Sequence, residues 1–164
     1  MAMHVRRWHS FDGFTLIELM TVLAVLAVLL AVALPGLGGF AAGQQVKVLA
    51  YDMTSDLLLA RSEARKRNIS VQMMPLGQSW ASGWTLRAGT ENISTRNATN
   101  NTLNFAAEPS VPTVIAFDAQ GRVSAPSSPV RMTVSTVGQT TESSKRCIQL
   151  DLSGRARSAV GACA

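Results

Sequence analysis

Residues 13–35 read G-FTLIELMTVLAVLAVLLAVAL-P, from Gly13 to Pro35. Between the Gly and the Pro lie 21 residues, of which only Glu18 is charged. In a helix rising about 1.5 Å per residue they span roughly 31 Å, the thickness of a hydrocarbon core. A plain membrane anchor accounts for the length but not for Glu18, because a carboxylate in lipid costs a few kcal/mol. A secretory signal accounts for Arg6 and Arg7 ahead of the run and for Ala31-Val32-Ala33, an A-x-A cleavage pattern. Its apolar region would be too long, however, and would carry a charge. A third reading takes in the most features. Gly13 precedes an aromatic (Phe14), three small or apolar residues and then Glu18, directly before the membrane-length run.

This G-F-T-L-I-E arrangement resembles the processing site of type IV pilins and type II secretion pseudopilins. The resemblance implies a prepilin peptidase that cuts after Gly13 on the cytoplasmic side and methylates the new N-terminal Phe14. Basic residues before the run hold the leader in the cytoplasm. After the cut Glu18 is the fifth residue. A buried carboxylate needs a cationic partner, and the resemblance implies the N-terminal amine of a neighbouring subunit, a pairing that sets register during assembly. The plainer alternative is a Glu18 that reaches out to the membrane interface from within the first two helical turns.

The chain has 164 residues, or 151 without a 13-residue leader. That length allows one membrane helix and one small globular domain. Both histidines, His4 and His9, lie in the leader. The processed chain then has no histidine, which removes the usual general base and metal ligand. No glycine-rich phosphate loop is present, and Asp118 and Asp151 sit in no EF-hand pattern. No catalytic residue, cofactor or metal is therefore expected. Cys147 and Cys163 remain, in a chain expected to face an oxidising compartment. Two thiolates without a histidine do not close a zinc site, so a disulfide is expected. The formal charge is +5, and about +4 once Arg6, Arg7 and Asp12 are removed. That excess fits a polyanionic partner, although a solvated basic surface is the commoner cause.

Four segments follow: a leader over 1–13, a transmembrane and filament-core helix over 14–35, an amphipathic helix over 36–68 and a β-rich domain over 69–164. Pro35, Gly36, Gly38 and Gly39 predict an interruption or kink. Val46, Ala50, Met53, Leu57, Ala60 and Ala64 are spaced 4, 3, 4, 3, 4, which predicts one buried helical stripe. Arg65-Lys66-Arg67-Asn68 closes that helix. Beyond it, alternating runs at 71–73, 84–86, 130–134 and 148–152 read as strands. Residues 113–123 read as a hairpin turning at Asp118–Gly121, and 155–160 as a last strand after Ser153-Gly154. About seven strands after one long helix make an α+β domain, the helix packed on a β-sandwich or a pair of sheets. Residues 89–104 and 124–129 read as loops.

Leu57 to Asn68 (LLLARSEARKRN), Trp80-Ala81-Ser82-Gly83-Trp84 and Leu152 to Arg157 (LSGRAR) are similar to the GspH/FimT group of minor pilins and pseudopilins. The resemblance implies a long helix against two sheets. It also implies other pilins or pseudopilins as partners. The globular domain would stand in the periplasm, held by a single pass of the inner membrane until the subunit enters a pilus or pseudopilus. Some FimT-like members bind DNA in natural transformation through a G-R-x-R motif near the C-terminus. Here that motif is Gly154-Arg155-Ala156-Arg157, with Lys145 and Arg146 as flanking cations. The plainer reading of the motif is a hairpin turn with two solvated arginines. The alternative for the whole chain is a GspH-type structural tip subunit of type II secretion, without DNA binding.

Overall fold

The structure, a computed structural model, describes residues 14–97, 102–108, 110–138 and 141–163, and over 32–38 the backbone alone. One helix, α1, covers Leu16–Arg67. Its start is set by Thr15, whose Oγ1 accepts the Glu18 N–H at 3.3 Å, the near half of a T-x-x-E capping box. Its end is set by Asn68 at φ +54°, the left-handed residue after the last turn. The Ile69 N–H then returns to the Ala64 carbonyl at 3.3 Å, so the chain leaves in a Schellman turn.

The helix is continuous through Pro35, Gly36, Gly38 and Gly39, where the sequence predicts an interruption or kink. An interior proline costs about 3 kcal/mol through one lost ladder bond and a ring clash. The uninterrupted turns on either side carry the ladder across it. The chain divides into two compact units between Gly38 and Gly39. In the first unit Leu16, Ile17, Leu19, Met20, Val25, Val28 and Leu29 are all exposed. So continuous an apolar surface belongs against lipid or other subunits rather than water.

In the second unit nine strands follow the helix among the described residues: β1 (Val71–Pro75), β2 (Gly83–Ala88), β3 (Glu91–Asn97), β4 (Leu103–Ala107), β5 (Ile115–Phe117), β6 (Val123–Ala125), β7 (Val130–Thr136), β8 (Arg146–Leu150) and β9 (Ala156–Val160). They make two antiparallel sheets, β3-β2-β1-β5-β6 and β4-β7-β8-β9. The stripe Val46, Ala50, Met53, Leu57, Ala60 and Ala64 is buried in full. It shares one core with Met73, Trp84, Leu86 and Phe117 of the first sheet and Met132, Ile148 and Leu150 of the second.

Two indole N–H groups fix the helix and loops to this core. Trp84 Nε1 donates to the buried Asp56 carboxylate at 2.8 Å, and Trp80 Nε1 donates to the Pro112 carbonyl at 2.7 Å. Arg96 of β3 donates from Nε to the same Asp56 at 2.8 Å and from Nη1 to Asp52 at 3.2 Å.

The region 89–104, predicted as a loop, contains β3 and the start of β4. Strand β3 is an edge strand without a buried residue. It is held by polar contacts, among them Thr85 with Asn92 and Thr95, so no apolar alternation marks it. Strand β6 likewise takes two residues of the predicted loop 124–129. Strand β8 stops at Leu150, two residues before the predicted end, because Asp151 opens the turn to β9.

Candidate functional site

The C-terminal G-R-x-R motif lies at the turn between β8 and β9. Asp151 builds the turn. Its carbonyl accepts the Gly154 N–H at 2.9 Å, and its Oδ1 accepts the Arg155 N–H at 3.0 Å and the Ser153 hydroxyl. The Ser153 hydroxyl, and then the Arg155 N–H, hold the Asp151 carboxyl below its usual range. The turn's one acid is thus tied to its own backbone.

Gly154 has φ +79° and is buried. A Cβ there would collide with the Gly121 carbonyl oxygen and lie 3.1 Å from Arg61 Nε. Glycine is required both for the left-handed backbone and for the close approach. Arg61 reaches over from α1 and donates from Nε to the Gly121 carbonyl at 3.0 Å.

Arg155 and Arg157 are exposed. Arg157 stands opposite Gln149 of β8, and Gln149 stands opposite Arg131 of β7. Directly paired residues share a face, so Arg131, Gln149 and Arg157 form one row across the outer side of the second sheet. Arg131, Gln149, Asp151, Arg155 and Arg157 line one open recess of about 180 Å³. Three guanidinium groups around one recess suit an anion with several oxygen acceptors, such as a phosphodiester. Arg131 was missed in the sequence because its place depends on strand register across two pairings.

Lys145 and Arg146 do not join this group. Lys145 Nζ donates to Glu142 Oε1 at 2.7 Å, and Arg146 Nη1 donates to the carbonyls of Ser143 and Lys145. Arg146 lies three positions from Gln149 on β8, an odd step that turns it to the opposite face.

Cys147 and Cys163 form a disulfide, with Cα atoms 4.9 Å apart. It holds the chain end on the outer side of β8. There the Cys163 N–H donates to Thr133 Oγ1 at 2.9 Å and the Ala162 N–H to Glu142 Oε2 at 2.9 Å.

At the other end of the chain, Phe14 is exposed, and Glu18 lies in the first turn of α1, its N–H donating to the capping Thr15 Oγ1. Gly13 lies outside the described residues. Among the described residues no helix is long and apolar enough to cross a membrane. Among the described residues no cluster of three or more His, Cys, Asp or Glu is placed to hold a metal ion.

A long helix with a capped N-terminal apolar half, packed farther along on two antiparallel sheets, defines a type IV pilin-like protein. Residues 8–34 match the prokaryotic N-terminal methylation motif, which implies processing by a prepilin peptidase and assembly with other pilins. Residues 49–154 match the model of type II transport protein GspH, and the chain belongs to that family. Arg155 and Arg157 lie just beyond the matched segment. The fold is similar to that of the type IV minor pilin FimU of Pseudomonas aeruginosa (strain PAO1), solved in two crystal forms. Against the P21 form the TM-score is 0.61 at 19% identity, covering 72% of this chain and 90% of that one. Against the P65 form it is 0.58 at 19% identity, covering 69% and 91%. A comparison with curated proteins finds no match.

Proposed function

We propose that this chain is a FimT-like minor type IV pilin that enters the pilus and binds extracellular DNA without sequence preference, for uptake in natural transformation. One observation carries the reading. Arg155 and Arg157 are exposed and line one recess with Arg131, while the neighbouring acid, Asp151, is tied into its turn. Contacts from guanidinium groups to phosphates read charge rather than sequence. The subunit is cut between Gly13 and Phe14 and methylated on Phe14. It waits in the inner membrane by a single pass of the helix over 14–35, with residues 69–164 in the periplasm. Glu18 then takes the amine of a neighbouring subunit during assembly. This supplies no catalytic role, and none is proposed. The match to GspH supports a second reading, a type II secretion pseudopilin that has a structural role only.

A chromosomal allele carrying Arg155→Ala and Arg157→Ala separates the two. On the DNA reading, transformation frequency falls while pili and secreted proteins stay at wild-type levels. Unchanged transformation, with a secretion defect when the gene is deleted, would establish the pseudopilin reading instead.

A further inference from the structure

The pattern D-x-x-G-R occurs twice in this chain, as Asp118-Ala119-Gln120-Gly121-Arg122 and as Asp151-Leu152-Ser153-Gly154-Arg155. The two copies fold into the same turn. In each, the Gly N–H donates to the Asp carbonyl, at 2.8 and 2.9 Å, and the Asp N–H donates to the Arg carbonyl, at 2.9 and 3.2 Å. In each, Asp Oδ1 accepts the Arg N–H, at 2.8 and 3.0 Å. The glycines have φ +76° and +79°. Both carboxylates are therefore bound to their own backbones, and both arginines leave the turn exposed.

The twin turns also touch. The Gly121 carbonyl occupies the space a Cβ on Gly154 would need, and the Val123 N–H donates to the Leu152 carbonyl at 3.1 Å. Arg65 of α1 lies over the first turn, its Cδ 2.7 Å from where a Cβ on Gly121 would stand, and it too is exposed. Among the described residues no carboxylate comes within 4.0 Å of the Arg65, Arg122, Arg155 or Arg157 guanidinium groups, although Asp151 is near enough to Arg155 for their charges to interact.

We propose that Arg122 and Arg65 continue the phosphate-binding surface of Arg155 and Arg157, so that a DNA duplex is gripped across both turns. This rests on the DNA reading above and enlarges its site. A duplex suits the arrangement because its charge repeats along the axis, about one per 1.7 Å, and can meet cations presented side by side. A small anion would fill the recess beside Arg157 and leave Arg122 and Arg65 unoccupied.

The test is a titration of the full processed chain, in a non-ionic detergent, with a labelled duplex of mixed sequence over a series of salt concentrations. Each lost phosphate contact lowers the magnitude of the log–log salt slope by about 0.9. Arg65→Ala with Arg122→Ala is expected to lower it by about 1.8, and Arg65→Lys with Arg122→Lys to keep it near wild type. Lys47→Ala, 18 residues before Arg65 on α1 and so about 27 Å from it along the helix, removes one charge and should leave the slope unchanged. Arg122→Ala alone, expected to lower the slope by about 0.9, keeps the test intact if Arg65→Ala disturbs packing on Gly121. A wild-type slope in the Arg65/Arg122 alanine pair, beside a lowered slope in the Arg155/Arg157 pair, overturns the enlarged site alone. So does a lysine pair that loses as much as the alanine pair. Absence of binding by the wild-type chain at low salt overturns the DNA reading itself.

Discussion

Gly154 serves two purposes that only the folded chain brings together. It ends the β8–β9 turn at a positive φ, and it lets the Gly121 carbonyl and Arg61 come close from the other side. The turn was legible from Ser153-Gly154, but the close approach was not, because Gly121 is far away in the chain. Gly154→Ala must relieve a backbone collision as well as adopt an unfavourable φ. It should destabilise the fold by more than about 1 kcal/mol, read as a lowered thermal midpoint. An unchanged midpoint would mean that the two turns are free to separate. The acids nearby give a second expectation. Lys145, and then the Ala162 N–H, hold the Glu142 carboxyl below its usual range, as Ser153 and Arg155 do for Asp151. A carboxyl with a folded pKa below its unfolded value binds fewer protons folded than unfolded. Its stabilisation is present above the unfolded value, about pH 4, and is lost as pH falls through the folded one. Thermal midpoints should drop from about pH 4 downward, and Glu142→Gln should flatten part of that drop. A Gln variant as acid-sensitive as the wild type would remove Glu142 from the cause.

Among the elements, α1 was the most legible. Its stripe from Val46 to Ala64 repeats at helical spacing over five intervals, and every member is buried. Asn68 ends it at the predicted place. Strand β3 was not legible, because an edge strand held by Thr, Asn and Arg contacts looks like a polar loop. The motif arginines could be read from four adjacent residues. The exclusion of Lys145 and Arg146 could not, since it follows from strand parity and from Glu142. Strand β9 depends on its covalent tie. The disulfide closes a segment with a sequence separation of 16, for which the chain-entropy estimate gives about 3 kcal/mol. Cys147→Ser with Cys163→Ser should therefore lower unfolding stability by about that amount in chemical denaturation. A loss close to zero would mean that the hydrogen bonds of Ala162 and Cys163 hold the chain end without the bridge.

Across the whole molecule, an N-terminal apolar helix is joined to a domain that offers arginines to solvent. The methylation-motif match places this chain among proteins that a prepilin peptidase processes. Mass spectrometry of the cellular protein should find Phe14 at the N-terminus with one added methyl group. Gly13→Ala should leave the leader in place, and an N-terminus after Ala33 would point to an ordinary secretory signal instead. The more exacting claim is that the turn at Gly154 was built to meet DNA. It is tested most directly by titrating the processed full-length chain and its Arg155→Ala, Arg157→Ala variant with duplex DNA over a range of salt. The account predicts weak, salt-sensitive binding by the wild type, a log–log slope lower by about 1.8 in the variant, and a thermal midpoint within the small range usual for exposed substitutions. Equal affinity and equal slope for the two proteins would contradict it.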